Sequence, residues 1–245
     1  EGQQVPYQIT SDEKVIFPVT VQANGSAVYT IKAGIPQECP VKACGTYYPE
    51  RVDDVAWEND LTAFRAYGPA LQETGERAFG YDIWTKYNTT EPVVEARYEG
   101  ELNPDMKAKI AELGKTDPKA AQELYRSVSY HVDHGNGLDC YKVGPTLGGG
   151  TTALMAGDTI VYPYCYATQE ILDNGPLRFT VKLVYNPLVV KGDSTIIETR
   201  IITLDAGSYC NKTVVSYTNL KETMPLAVGI VLHLSLIHIS ETTRL

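Results

Sequence analysis

Apolar and polar residues alternate with a period of two over much of this 245-residue chain. Leu177, Phe179, Val181, Leu183 and Tyr185 interleave with Arg178, Thr180 and Lys182. That is the pattern of a strand with one buried face. The turn text Asp173-Asn174-Gly175-Pro176 precedes it. Residues 194–204 form a second β-branched run, and residues 214–218 and 226–232 continue the pattern. Nearer the start, residues 15–21 and 27–31 predict a hairpin around Asn24-Gly25. One helical insertion interrupts the strands. Asn103 is placed to cap a helix with Pro104 in its first turn and a stop at Gly114, and Asp117-Pro118 opens a second. Both helices are short and are expected to cover a sheet edge or one side of a cleft. With no repeat, low-complexity stretch or linker, a single domain over residues 1–233 is the simplest expectation.

Composition adds bounds to that picture. Hydrophobic residues make up 43% of the chain, enough for a packed core. The formal net charge of −9 argues against a nucleic acid or an anionic membrane as partner. It leaves neutral or mildly anionic sugars open, because a sugar site is set locally. Tyrosine, at 17 against 4 Phe and 2 Trp, suits half-buried strands and also the walls of sugar grooves. Cys39 and Cys44 bracket CPVKAC, where an oxidising compartment would allow a local disulfide. The odd total of five leaves at least one thiol unpaired. No C-x-x-C pair points to a zinc ribbon. No apolar run is long enough to span a membrane. The chain opens without Met and without a visible signal peptide, as a processed or truncated start would. Its last twelve residues, LSLIHISETTRL at 234–245, resemble a translated sequencing adapter. The natural sequence is therefore expected to leave this chain near His233 and to continue in unseen residues. His238 and Arg244 then carry no function.

Three segments hold the candidate chemistry. Residues 51–68 are dense in ionisable groups punctuated by large apolar ones. Read as one strand, Trp57, Asn59, Leu61, Ala63, Arg65 and Tyr67 share a face, and Glu58, Asp60, Thr62 and Phe64 share the other. An amide, a guanidinium and a phenol in one row would suit a sugar carboxylate or ring hydroxyls. Read as a helix, Trp57, Leu61 and Phe64 make a core stripe under a charged face. The second segment, residues 129–139, places Tyr130, His131, Asp133, His134 and Asp139 among loosening glycines. A histidine there suits general acid–base work, or His131 and His134 with Asp133 and Asp139 suit a divalent metal. The sequence specifies no cofactor beyond that alternative. The third, residues 143–153, is glycine-rich but lacks the Lys of a phosphate loop, so its glycines are expected to serve tight backbone turns. Trp84, in GYDIWTK, is either a stacking platform for a sugar ring or core.

The texts RVDDVAWENDLTAFRAYGPAL, GYDIWTK, YHVDHGNGLDCYKVGPTLGGGT, NGPLRFTVKLVY and LDAGSYCNK together resemble a bacterial domain-of-unknown-function family, DUF4861, over nearly the whole chain. The resemblance implies a large antiparallel β-sandwich (a supersandwich like that of galactose mutarotase and several polysaccharide lyases) with a short helical insertion, here truncated at its C-terminus. It implies an exported protein, periplasmic or extracellular, of polysaccharide-degrading bacteria. The reaction it leads us to expect is a lyase or dehydratase acting on uronate-containing oligosaccharides. Arg65 and Asn59 would then neutralise the sugar carboxylate, with Glu58, Asp60 and Trp84 also lining the substrate. His131 would be the base, Tyr130 or Tyr67 the proton donor, and His134 and Asp139 would orient the base. A glycoside hydrolase using Glu58 with Asp133 or Asp139, and a non-catalytic sugar-binding or epimerase-like module, are the alternatives.

Overall fold

The computed structural model describes residues 4–35 and 37–232. The tail at 234–245, with its adapter-like text, lies outside the described residues. After a short pair, β1 (Gln8–Ile9) and β2 (Val15–Ile16), come β3 (Ala43–Tyr48), β4 (Asp54–Asn59) and β5 (Thr62–Ala66). The short helix α1 (Pro69–Glu73) then leads to β6 (Asp82–Thr85). Three helices follow: α2 (Val94–Leu102), α3 (Pro104–Thr116) and α4 (Pro118–Arg126). The second half holds β7 (Thr151–Ala156), β8 (Thr159–Val161), β9 (Tyr166–Asn174), β10 (Arg178–Tyr185), β11 (Leu188–Val190), β12 (Asp193–Asp205), β13 (Lys212–Thr218) and β14 (Leu226–Gly229).

The chain is mainly β, and its strands pair antiparallel, as the periodicity predicts. One sheet runs β3-β4-β5-β6; a second joins β9, β10, β11, β12 and β13; a third runs β14-β7-β8. The first two sheets face each other across the main core. Val55, Trp57, Phe64 and Ala66 on one side meet Phe179, Val181, Leu183, Ile202 and Leu204 on the other. Each strand contributes alternate residues to that layer, the arrangement of a sandwich. The far side of the first sheet is also covered. Val94 and Tyr98 of α2, with Tyr130, pack on Ala56, Ala63 and Trp84. Hence β4 and β5 are buried on both faces.

β10 and β12 form as the alternation predicts, at Arg178–Tyr185 and Asp193–Asp205. Two polar residues of β12 nevertheless point inward. Glu198 and Arg200 pair at 2.5 Å with no exposure, and the Arg200 guanidinium lies over the Tyr185 ring. The helical insertion also forms as read. The Asn103 side chain accepts from Met106 N, and Asp117 accepts from Ala120 N. α3 passes through Gly114 to Thr116, because Asp117-Pro118, rather than the glycine, ends it. α2 carries no local capping signal. Its N-terminus is capped from a distance: the Glu58 carboxylate accepts from Val93 N and Val94 N at 2.9 Å.

The predicted hairpin of residues 15–21 and 27–31 does not form. Only Val15–Ile16 is strand, and it pairs with Gln8–Ile9. The turn itself exists: Asn24 adopts a left-handed φ of 58° and Gly25 N donates to Gln22 O. The limbs have no sheet to rest on, so Val19, Val21, Val28 and Ile31 stay exposed. An isolated two-stranded ribbon is marginal in water. All five cysteines are free, so Cys39 and Cys44 form no disulfide.

Candidate functional site

Residues 54–66 are a hairpin, with Asp60 and Leu61 at its turn. Asn59 builds that turn by accepting from Leu61 N and Thr62 N at 2.9 and 3.0 Å. The reversal inverts which residues share a face. Ala56 pairs with Arg65 and Trp57 with Phe64. Arg65 therefore faces α2, while Trp57 faces the main core. Asn59 is not in the Arg65 row; its amide donates to Asp205 O and Ser208 O of the opposing sheet's connection. Asp60 accepts from Gly207 N at 2.7 Å and braces the same connection. These two residues hold the sheets together.

On the α2 side of the first sheet, strand register brings charges into contact. Arg65 lies opposite Asp82 and Ala63 opposite Trp84. Arg65, with a side chain 3% exposed, pairs closely with Asp82 and at 3.0 Å with Asp139, and its Nε is 3.9 Å from Asp54. Its guanidinium sits 5.0 Å from the Tyr67 ring centre and 5.2 Å from that of Trp84. Tyr67 is buried, with its hydroxyl 3.4 Å from Arg65. Trp84 is core: it stacks on Tyr130 at 4.9 Å and donates to Asp82. Arg65 is thus buried inside the fold with its hydrogen bonds made through Nη2, and neither it nor Trp84 faces a ligand at the surface.

The loop at 129–139 is hydrogen-bonded to the free edge of β6. Thr85 N donates to Leu138 O, Leu138 N donates to the Thr85 hydroxyl, and Asp139 N donates to Tyr130 O. Gly137 takes a φ of +97°, and a Cβ there would lie 2.1 Å from Thr85 O. Arg97 of α2 donates to Asn136 O. Glycine serves a similar close approach at Gly80, where an added Cβ would meet Leu147 O at 1.8 Å beside the glycine-rich stretch.

This anchoring places the His131 ring at the surface, 49% exposed, with Asp139 behind it. His131 Nδ1 lies 3.1 Å from Asp139 O and 3.5 Å from the Asp139 carboxylate. A carbonyl only accepts, so Nδ1 carries the proton and the neutral ring keeps its lone pair on Nε2. Nε2 makes no hydrogen bond to the described residues. Burial pushes the Asp139 carboxyl above its ordinary range, with Arg65 and His131 opposing and Asp82 reinforcing. Burial raises Asp82 too, against the pull of Arg65. The result is a chain of polar contacts, Asp82–Arg65–Asp139–His131, running from interior to surface.

A second arm reaches Tyr130. Arg51 Nε donates to the Tyr130 hydroxyl at 3.2 Å, and Arg51 Nη1 is 3.9 Å from Asp54. Asp54 is buried and held up to about 6 by desolvation, partly countered by Arg65. Burial also raises the Tyr130 phenol, which keeps it protonated, while the Arg65 and Arg51 guanidiniums pull it down. Arg51, Asp54 and Asp82 were not singled out from sequence. The signal lay in the Asp82-x-Trp84 spacing on one strand face, visible only once β5 and β6 are paired.

The remaining candidates are committed elsewhere. Glu58 is buried and tied to Lys86 at 2.7 Å as well as to the α2 amides. Asp133 accepts from Gly135 N, Gly137 N and the Tyr87 hydroxyl, shaping the loop. His134 Nε2 lies 3.0 Å from Ser129 O, so it donates there and folds the loop back on itself. His131, His134, Asp133 and Asp139 are not gathered as a ligand set. Among the described residues no group of three or more His, Cys, Asp or Glu is placed to hold a metal.

Fold and site define a mainly β protein of packed antiparallel sheets, with a buried arginine–carboxylate network ending in a surface histidine. The chain belongs to the family described as Domain of unknown function (DUF4861), matched over residues 1–243. It is similar to the uncharacterized protein P7 of Formosa agariphila, with 28% identity over 210 residues. That alignment takes in 83% of this chain and 46% of P7, so the chain spans about half the length of this curated relative. No solved structure matches the chain. Among the described residues, no helix is long and apolar enough to cross a membrane.

Proposed function

We propose that this protein is a carbohydrate-active lyase or dehydratase that cleaves a carbon–oxygen bond of uronate-containing oligosaccharides, with His131 as the base. One observation carries the reading: His131 keeps an unbonded Nε2 at the surface while its Nδ1 is held by the Asp139 carbonyl at 3.1 Å and faces the Asp139 carboxylate at 3.5 Å. A ring held in one tautomer, with a carboxylate close enough to stabilise the imidazolium that forms, is what a general base needs. In the elimination, Nε2 takes the proton on the carbon next to the sugar carboxylate. The electron pair of that C–H bond becomes a carbon–carbon double bond as the neighbouring C–O bond breaks. The departing oxygen takes the proton of the Tyr130 phenol, whose ring centre is 4.5 Å from that of His131. Transfer from the imidazolium then restores Tyr130.

The hydrolase alternative is weaker on this geometry. It needs two carboxylates free to act on sugar. Glu58 is locked by Lys86 and two amides, Asp133 by its own loop, and Asp139 by Arg65. The same functional reading puts the protein in the periplasm or outside the cell, where polymeric glycans are met; fractionation of the native host tests that.

The test is incubation with uronate oligosaccharides, following the absorbance of a conjugated unsaturated uronate. His131→Ala should lower turnover on the order of 10²–10⁴-fold with unchanged thermal stability. New reducing ends without that absorbance would make the protein a hydrolase. Ligand protection against unfolding with no product would make it a binding module.

A further inference from the structure

The helical insertion encloses a cleft of about 440 Å³ against the residues that follow β3. We infer that this cleft is a subsite for a uronate residue, whose carboxylate is read by Arg51. The inference rests on the proposal that the protein acts on such sugars, and it gives Arg51 the neutralising role that Arg65 is too buried to fill.

The lining has the mixed character that a pyranose ring requires. Val52, Leu102, Ile110 and Ala111 supply apolar surface for the C–H face of a sugar. Tyr125, 40% exposed on α4, offers a ring for stacking. Arg51 comes from the 3-10 turn Pro49–Arg51, and its side chain is held rather than free, at 17% exposure. It spends Nε on Tyr130. Nη1 is in a loose ion pair with Asp54 at 3.9 Å, and neither terminal nitrogen is committed to a hydrogen bond, so the planar fork keeps donors for a carboxylate. Lys107 of α3 lines the same cleft as a second cation.

Two carboxylates also line the space, and they differ in availability. Glu101 is occupied by Ser129 Oγ at 2.8 Å, Tyr130 N at 3.0 Å and the Tyr125 hydroxyl at 3.5 Å. Those bonds spread its charge and tie the loop that bears His131 to the cleft wall. Glu50 is exposed and left to accept from sugar hydroxyls. The Tyr130 phenol is the shared element: it lines the cleft, bonds Arg51, and adjoins His131. A uronate seated on Arg51 therefore lies beside the proposed proton donor.

The experiment is calorimetric titration of the full chain with a galacturonate oligosaccharide and with the same oligosaccharide after reduction of its carboxylates. Uronate should bind more tightly than the reduced form. Arg51→Leu should weaken uronate binding roughly 10- to 100-fold, the scale of one charge-assisted pair, and barely change the reduced sugar. Because Arg51 also braces Tyr130, a second variant keeps the test open: Ala111→Trp, on an exposed helical position, fills the cleft and should abolish binding of both sugars. Uronate binding in the absence of any turnover would sink the lyase reading and leave this subsite standing. Equal affinity for the reduced sugar, or undiminished binding in Ala111→Trp, would overturn the subsite.

Discussion

Replacing Arg65 with leucine tests the buried network directly. The substitution removes the partner of Asp82 and Asp139, whose side chains are 1% and 6% exposed. Leucine fills much of the volume but leaves two carboxylates in a site built around a cation. Breaking a buried ion pair by deleting one partner costs about 3–5 kcal/mol. Loss of the guanidinium's contacts with Tyr67 and Trp84 adds about 1 kcal/mol. Against a typical domain stability of about 5–15 kcal/mol, the variant should survive folded but with its denaturant midpoint sharply lowered. The deficit should also depend on pH. Without Arg65 the buried carboxyls rise further, so the folded state holds protons that the unfolded state releases. Stability then falls as pH rises, and the gap to the parent should be wider at about pH 8 than at about pH 5. Adding Asp82→Asn should recover part of the loss. Guanidinium melts of the three proteins at both pH values are the assay. A deficit under about 1 kcal/mol, the scale of a surface pair, or one that ignores pH, would refute the reasoning.

Two further outcomes follow from named groups. Asp54 is held up to about 6, above its unfolded value, so the folded chain binds its proton more tightly, and stability should drop as pH rises across that interval. Asp54→Asn keeps an acceptor for Gly68 N and should flatten that slope in pH-dependent melts; an unchanged slope would clear Asp54 of the effect. Gly137→Ala puts a Cβ 2.1 Å from Thr85 O at a left-handed backbone position. It should cost about 1–3 kcal/mol and speed amide exchange at Leu138 and Asp139, with turnover falling as His131 loses its support.

Much of the architecture was legible from local pattern. Phe179, Val181, Leu183 and Tyr185 alternate and become the buried row of β10. Asn103-Pro104 and Asp117-Pro118 open helices because each cap bonds an amide three residues on. Such signals act over a few residues, so a linear reading finds them. The failures have one common cause. Whether residues 15–21 and 27–31 pair depends on a sheet beneath them, and none is there. α2 escaped notice because its cap, Glu58, comes from another strand.

The candidate site divides along the same line. The sequence by itself placed Tyr130, His131 and Asp139 in one short loop, and they do meet. It also singled out Arg65, in a row with Asn59 and Tyr67. It could not show that the chain reverses at Asp60-Leu61, which sends Asn59 to the main core and Arg65 to the opposite face. Side-chain alternation sets which neighbours in a strand share a face; only strand pairing sets which strands share one. Register alone brings Asp82 to Arg65, and the loop's bonds to β6 bring Asp139 to both. The histidine was visible as a residue type and its tautomer is set inside its own loop, by Asp139 O eight residues on, but the buried charge behind Asp139 comes from Arg65, 74 residues away in the chain.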